Sequence, residues 1–396
     1  MNPLLIIGII LFVGLLAGKG AYALRMPALV GYIVFGLLLG ESVTGIISKN
    51  VLHDLGMIIP MVLGIIGFTV GGQLGIDVFR KHGSQVMTIL FMQTIFTTLL
   101  VGGAVYMATR SLPMAMVVGP LASATAPAAT LNVLWETKAK GSLTTMIMAI
   151  VALDDAVAII LFGLGEAIAV SMLSGKSHSM MQVLTPASLE VAGGILLGAV
   201  AGIVTAQVLK RITNPHTALI FSMGLIMMTA GLAQTYHLSL MLATLTAGMV
   251  AFNLAHAEVT HLLKTLEDIT PPLYLMFFVL IGAELDIRWL SNIGVVGLIY
   301  IFTRGVGKWF GSWAGASFAG AELKIRRYLG PALLSQAGVA IGLSLVVLQD
   351  FSGLGTEAEN IARTIVNLVA ATTLLMELVG PIMVKRAVTA AGEVNQ

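Results

Sequence analysis

The chain has 396 residues, 57% hydrophobic and only 10% charged, with a net charge of +2 and a mean hydropathy of +0.97. Soluble domains carry about 25% charged residues, so this composition excludes a water-soluble globule and points to a surface facing lipid. The lack of cysteine excludes disulfides and thiolate metal sites, and the charge balance gives no sign of a nucleic-acid partner.

A spanning helix needs about 20 apolar residues. By that measure the sequence predicts an all-α polytopic membrane protein of about thirteen spans: 4–23, 27–45, 55–79, 85–107, 112–136, 142–173, 187–209, 216–235, 238–254, 266–285, 292–317, 327–349 and 361–384. The first run has no basic residue ahead of it, so it reads as mature structure rather than a signal peptide. Connections are short and polar, and no soluble domain is expected at either end. With the N-terminus outside, thirteen Lys and Arg residues fall in inside segments: Arg25, Arg80, Lys81, Lys138, Lys140, Lys210, Arg211, Lys264, Lys324, Arg326, Arg327, Lys385 and Arg386. Five fall outside, Lys49, Arg110, Lys176, Arg288 and Arg363. The positive-inside rule then gives an N-out, C-in topology.

The fifth span holds Ser123-Ala-Thr-Ala-Pro-Ala-Ala-Thr130. Pro127 removes an amide donor there and disfavours helical geometry at the residue before it. Taken alone it reads as a tolerated kink. The hydroxyls of Ser123 and Thr125 beside freed carbonyls would make hard ligands for a small monovalent cation.

The sixth span places Asp154 and Asp155 together, with at least six uncharged residues on each side. A carboxylate at a helix centre costs about 2.5–3.5 kcal/mol on insertion scales, so two in succession imply a function. Neighbouring residues on a helix point about 100° apart and can serve different partners. Burial and mutual repulsion both favour a bound proton. Proton and cation then compete for the same oxygens, which is what exchange requires. Two adjacent aspartates diverge, which argues against an aspartyl protease, whose two carboxylates must share a proton.

The eleventh span carries Lys308, with Arg304 one turn earlier on the same face. A membrane-buried base normally pairs with a buried acid, so Lys308 is expected to pair with Asp154. Arg304 could take that role instead, or snorkel, or bind Glu166 or Glu377. Those two glutamates, in the sixth and thirteenth spans, line entry paths or fix packing. In the twelfth span Ser335-Gln-Ala-Gly-Val-Ala-Ile-Gly342 offers Gln336 and Gly338 at a second interruption. Histidines 53, 82, 178, 216, 237, 256 and 261 show no metal-ligand spacing, and the 22 methionines read as packing.

The chain also repeats itself weakly. An offset of 211 carries Gly71-Gly-Gln-Leu74 onto Gly282-Ala-Glu-Leu285, Thr125 onto Gln336, Pro127 onto Gly338 and Glu166 onto Glu377. It lays spans 1–6 over spans 8–13. Seven spans separate equivalent helices, an odd number, so the halves are inverted. Inverted repeats with paired discontinuous helices mark the ion sites of secondary transporters. No channel filter loop is seen. A sodium-coupled organic anion carrier of the same fold would need a larger polar pocket.

These residues resemble the monovalent cation/proton antiporter superfamily, in particular sodium/proton antiporters of its second cation/proton antiporter family. The resemblance rests on Asp154-Asp155, Lys308-Trp-Phe-Gly311, Thr125-Ala-Pro127, Gln336-Ala-Gly338, Gly71-Gly-Gln-Leu74 and Phe277-Phe-Val-Leu-Ile-Gly282. It implies a homodimer built through a panel domain (1–80 and 214–290), a core ion-transport domain (84–175 and 292–390) with two crossed discontinuous helices, and a linker helix (186–212). It implies Na+ or Li+ bound at Asp155 and a salt bridge from Asp154 to Lys308. It further implies electrogenic exchange of two protons for one sodium by an elevator motion in the cell (inner) membrane, with no enzymatic activity and no cofactor. Potassium/proton exchange is the alternative. The nucleotide-binding domain usual in potassium-efflux relatives is not expected, because the chain stops shortly after Lys385-Arg386.

Overall fold

The computed structural model describes residues 3–24, 26–74, 76–174, 180–285, 294–336, 338–351 and 354–394. Arg25, Lys176, His178 and Arg288 lie outside the described residues, as do the side chains of Lys49, His53, Arg80 and Lys81. The described residues are helical almost throughout, and the chain divides into two compact units.

The first unit is Met1–Gly83 with Ser188–Glu284. It contains α1 (Pro3–Ala23), α2 (Ala28–Leu39), α3 (Lys49–Leu55) and α4 (Ile58–Gln73), then α10 (Pro215–Thr235), α11 (Leu240–Leu254) and α12 (His256–Glu284). The second unit is Ser84–Ala187 with Leu285–Gln396. It contains α6 (Leu112–Ser123), α7 (Pro127–Glu136), α8 (Ser142–Ser174), α13 (Gly294–Phe318), α14 (Leu323–Ala332), α15 (Gly338–Asp350) and α16 (Thr356–Ala390). Two long helices, α5 (Ile76–Thr109) and α9 (Met180–Leu209), run from one unit into the other.

Among the described residues, seven stretches are long and apolar enough to cross a membrane: Leu4–Ala23, His82–Thr109, Leu112–Glu136, Ser142–Ser174, Ser188–Leu209, Pro215–Thr235 and Thr356–Ala390. On α1 and α10 the exposed side chains include Leu4, Phe12, Leu16, Ile220 and Met228, as a lipid-facing surface requires.

Several boundaries differ from those predicted. The second and third spans shrink to Ala28–Leu39 and Ile58–Gln73, and a short helix, α3, lies between them. The tenth grows at its start, because α12 begins at His256 rather than 266. Residues 256–265 are too polar for a hydropathy reading, yet Val259, Leu262 and Leu263 bury one face of that segment in the unit's core.

The first unit packs by backbone contact. A Cβ on Gly71 of α4 would overlap the Leu245 carbonyl oxygen of α11, and one on Gly282 of α12 would overlap the Ile33 carbonyl oxygen of α2. Small residues let membrane helices approach this closely, since lipid offers no hydrophobic drive for association. The second unit packs α6, α8, α15 and α16 around a cluster that includes Val118, Leu121, Phe162, Val347, Ile365 and Val369.

Candidate ion-binding site

Two helix interruptions organise the second unit. α6 stops at Ser123, Ala124 and Ala126 are extended, and α7 restarts at Pro127. Proline suits that first helical position, where its missing N–H is no loss. Pro127 therefore starts a helix rather than kinking one. α14 stops at Ala332 and α15 restarts at Gly338. The two breaks meet directly: the Ala126 amide donates to the Ser335 carbonyl at 3.0 Å.

Helix C-termini leave orphan carbonyls with partial negative charge. Arg304 of α13 collects those of both breaks. Its guanidinium donates to the carbonyls of Ala122 (3.0 Å) and Ala124 (2.9 Å) on one side, and of Leu334 (2.5 Å) and Ser335 (3.1 Å) on the other. It is fully buried. Arg304 thus neither snorkels nor takes the place of Lys308, and its hydrogen bonds go to backbone rather than to Glu166 or Glu377.

One turn along α13, Lys308 is also fully buried. Its ammonium donates to the Ser123 carbonyl, to Thr125 Oγ1 at 2.8 Å and to Asp154 Oδ2 at 3.0 Å. The Thr125 hydroxyl donates to the same carboxylate oxygen. The other oxygen, Oδ1, accepts from Gln93 Nε2 at 2.7 Å, and the Thr94 hydroxyl lies 3.3 Å away. Asp154 is therefore engaged on both oxygens by Lys308, Thr125, Gln93 and Thr94. A buried ion pair persists only when its remaining lone pairs are satisfied this way.

Asp155 is different. It is 4% exposed, and its Oδ1 has no hydrogen-bond partner among the described residues. The adjacent carboxylates thus divide into one that is saturated and one with an oxygen open to a ligand.

The remaining sequence candidates fall out as follows. Ser123 contributes its carbonyl, while its hydroxyl turns back to Pro120 at 2.7 Å. Gln336 donates to the Tyr300 hydroxyl at 2.7 Å, and its Oε1 has no partner among the described residues. Glu377 is 1% exposed, with neither carboxylate oxygen hydrogen-bonded among the described residues. Glu166 sits beside Asp350 at the end of α15.

Compared with known proteins, residues 7–390 match the family described as sodium/hydrogen exchanger, transmembrane. The chain belongs to this family. It is a multi-pass membrane protein and a secondary transporter, a monovalent cation/proton antiporter rather than an enzyme. A Na(+)/H(+) antiporter, NhaH of Halobacillus aidingensis, is 23% identical over 360 residues, covering 84% of this chain and 86% of that protein. Two structures of the sodium proton antiporter MjNhaP1 from Methanocaldococcus jannaschii share the fold. One, at pH 8, has a TM-score of 0.72, and the other, from electron microscopy, 0.78. Both are 17% identical, with 98% of each chain covered.

Sequence reasoning missed Gln93, Thr94 and Tyr300 of this exchanger. For Gln93 the 211-residue offset held the signal: it carries Gln93 onto Arg304 and Gly119-Pro120 onto Gly330-Pro331. Gln93 stands in one half where Arg304 stands in the other, and each binds across the site.

Proposed function

We propose that this exchanger is an electrogenic antiporter that exchanges cytoplasmic Na+, or Li+, for external H+, with Asp155 as the cation site. The observation that carries the reading is the contrast at residues 154 and 155. Lys308, Thr125, Gln93 and Thr94 occupy the first carboxylate, and the second keeps an open oxygen deep in the protein.

One proton leaves Asp155 and a second leaves the Asp154–Lys308 pair toward the cytoplasm, and sodium takes the Asp155 oxygens. Thr125 and nearby carbonyls at the first break complete the ligand set as Lys308 withdraws. Sodium leaves outside, two protons reload the centre, and the Asp154–Lys308 pair forms or breaks as the load changes. A mid-bilayer acid that holds either a proton or a cation couples the two flows without further machinery.

The second unit (core, 84–175 and 292–390) moves as an elevator against the first (panel, 1–80 and 214–290), with 186–212 as the linker helix and the panel forming a homodimer. The division of the chain into two compact units supports this assignment. The sixteen helices of the described residues are compatible with thirteen crossings if α6–α7 and α14–α15 each count once and α3 does not cross. The inverted repeat is supported by the paired glycine contacts, in which α4 meets α11 as α12 meets α2. Basic residues favour an N-out, C-in chain in the cell membrane.

Purified protein in liposomes with an imposed pH gradient tests the function. Sodium is expected to drive proton flux with net charge movement, and Asp155→Asn is expected to reduce the flux to that of empty liposomes. Full activity in Asp155→Asn would refute the site. Flux driven by potassium but not by sodium would establish the alternative substrate.

A further inference from the structure

The end of the chain folds back onto the start of the helix that carries the two aspartates. α8 begins at Ser142, after Gly141, which has no side chain to cap the first-turn amides. The cap comes from 250 residues away. Glu393, just past the end of α16 and 5% exposed, accepts from the amides of Leu143 (2.9 Å) and Thr144 (2.7 Å) and from the Thr144 hydroxyl (2.7 Å). Its carboxylate also pairs with Lys324 of α14 at 2.8 Å, and its carbonyl accepts from the Lys140 amide at 2.8 Å. A second strand of the same tie runs from the Ser142 hydroxyl to Glu322 at 2.8 Å, and Glu322 lies 3.6 Å from Lys324. A Cβ on Gly141 would overlap the Glu393 carboxyl, so glycine there makes the approach possible.

A carboxylate at a helix N-terminus satisfies orphan amides and complements the helix dipole. Burial pushes the Glu393 carboxyl up, but hydrogen bonds from Lys324, Leu143 and Thr144 outweigh it and hold the group below the usual carboxylate range. The contact is therefore closed throughout the neutral range.

We propose that Glu393 is a positioning residue for the ion site, fixing the height of α8, and so of Asp155, against α14. The inference rests on the assignment of Asp155 as the cation site. Asp155 lies twelve residues beyond Leu143, roughly 18 Å along the helix axis. A helix slips as a rod, so displacement at its first turn reaches Asp155 undiminished. The far end of α14 leads to Leu334 and Ser335, whose carbonyls bind Arg304. One carboxylate therefore registers both sides of the centre. All the tied elements belong to the second unit. If that unit moves as a body, loss of the tie alters cation binding rather than the speed of transport.

Sodium-dependent proton flux in proteoliposomes, fitted for KM and maximal rate, tests this. Glu393→Ala is expected to raise the KM for sodium about three- to tenfold with the maximal rate little changed, the effect of a lost helix cap on a binding step. Glu393→Gln, which keeps an acceptor, should fall between it and the wild type, and Glu393→Asp should restore most of the affinity. The charge swap Glu393→Lys with Lys324→Glu restores the ion pair but not the cap, and should stay impaired. Wild-type KM in Glu393→Ala and Glu393→Gln would overturn the proposal, as would rescue by the charge swap. Asp155→Asn run in parallel separates the two claims. Lost sodium dependence there with unchanged KM in Glu393→Ala overturns the positioning role alone, and retained sodium dependence there overturns the site and the positioning role with it.

Discussion

In the first unit the buried polar side chains among the described residues are hydroxyls, and those of Thr205, Thr229 and Thr244 bond back to their own helices. Thr205 donates to Ala201 and Thr229 to Leu225, each at 2.8 Å. In the second unit the buried side chains include Asp154, Asp155, Arg304, Lys308 and Glu377, and the bonds that Asp154, Arg304 and Lys308 make cross from helix to helix. A hydroxyl bonded one turn back makes no demand on its neighbours, so those helices are free to pack by glycine contact. A buried charge needs donors or acceptors from elsewhere, and an unbroken helix has none to spare. Interrupting α6–α7 and α14–α15 frees the carbonyls that let Arg304 and Lys308 reside in the interior. The breaks are thus the condition for placing charge there.

Substitutions can break or sharpen this contrast. Arg304→Ala strips four carbonyls of their donor, and the cost should be largest, about 3–5 kcal/mol, as for breaking a buried ionic network. It is read as a large loss of melting temperature in detergent or failure to purify as a single species. Gly71→Val, in the first unit, forces α4 from α11 and should cost about 1–3 kcal/mol by overpacking. Its expected signature is a lowered melting temperature with sodium affinity retained. Thr205→Val removes one bond to its own helix and should cost no more than about 1 kcal/mol, with transport unchanged. A melting temperature for Thr205→Val as low as that of Arg304→Ala would erase the distinction between the units.

What was legible in the sequence follows the same division. Asp154 and Asp155 announce themselves as charges in an apolar run, and Lys308 as a base equally deep in another. Pro127 marks its break, because proline disfavours helix at the residue before it. The second break has no proline at its restart and is visible mainly through the repeat. The partners of Arg304 were not legible, because they are backbone carbonyls of two alanines, a leucine and a serine, with no side-chain signature. Gln93 hid as a neutral residue in an ordinary span. The start of α12 hid behind its polar composition. The contact of Glu393 with α8 joins segments about 250 residues apart, and no local pattern predicts it.

The account stands on competition between proton and cation for one buried carboxylate. Its most direct test is the sodium dissociation constant of the purified protein, measured by calorimetry across a series of pH values for the wild type and Asp155→Asn. The account predicts that wild-type affinity weakens by about tenfold or more for each pH unit once the site is protonated, with protons taken up as sodium leaves. It predicts no measurable binding in Asp155→Asn. Sodium affinity that stays constant with pH, or survives the substitution, would contradict it.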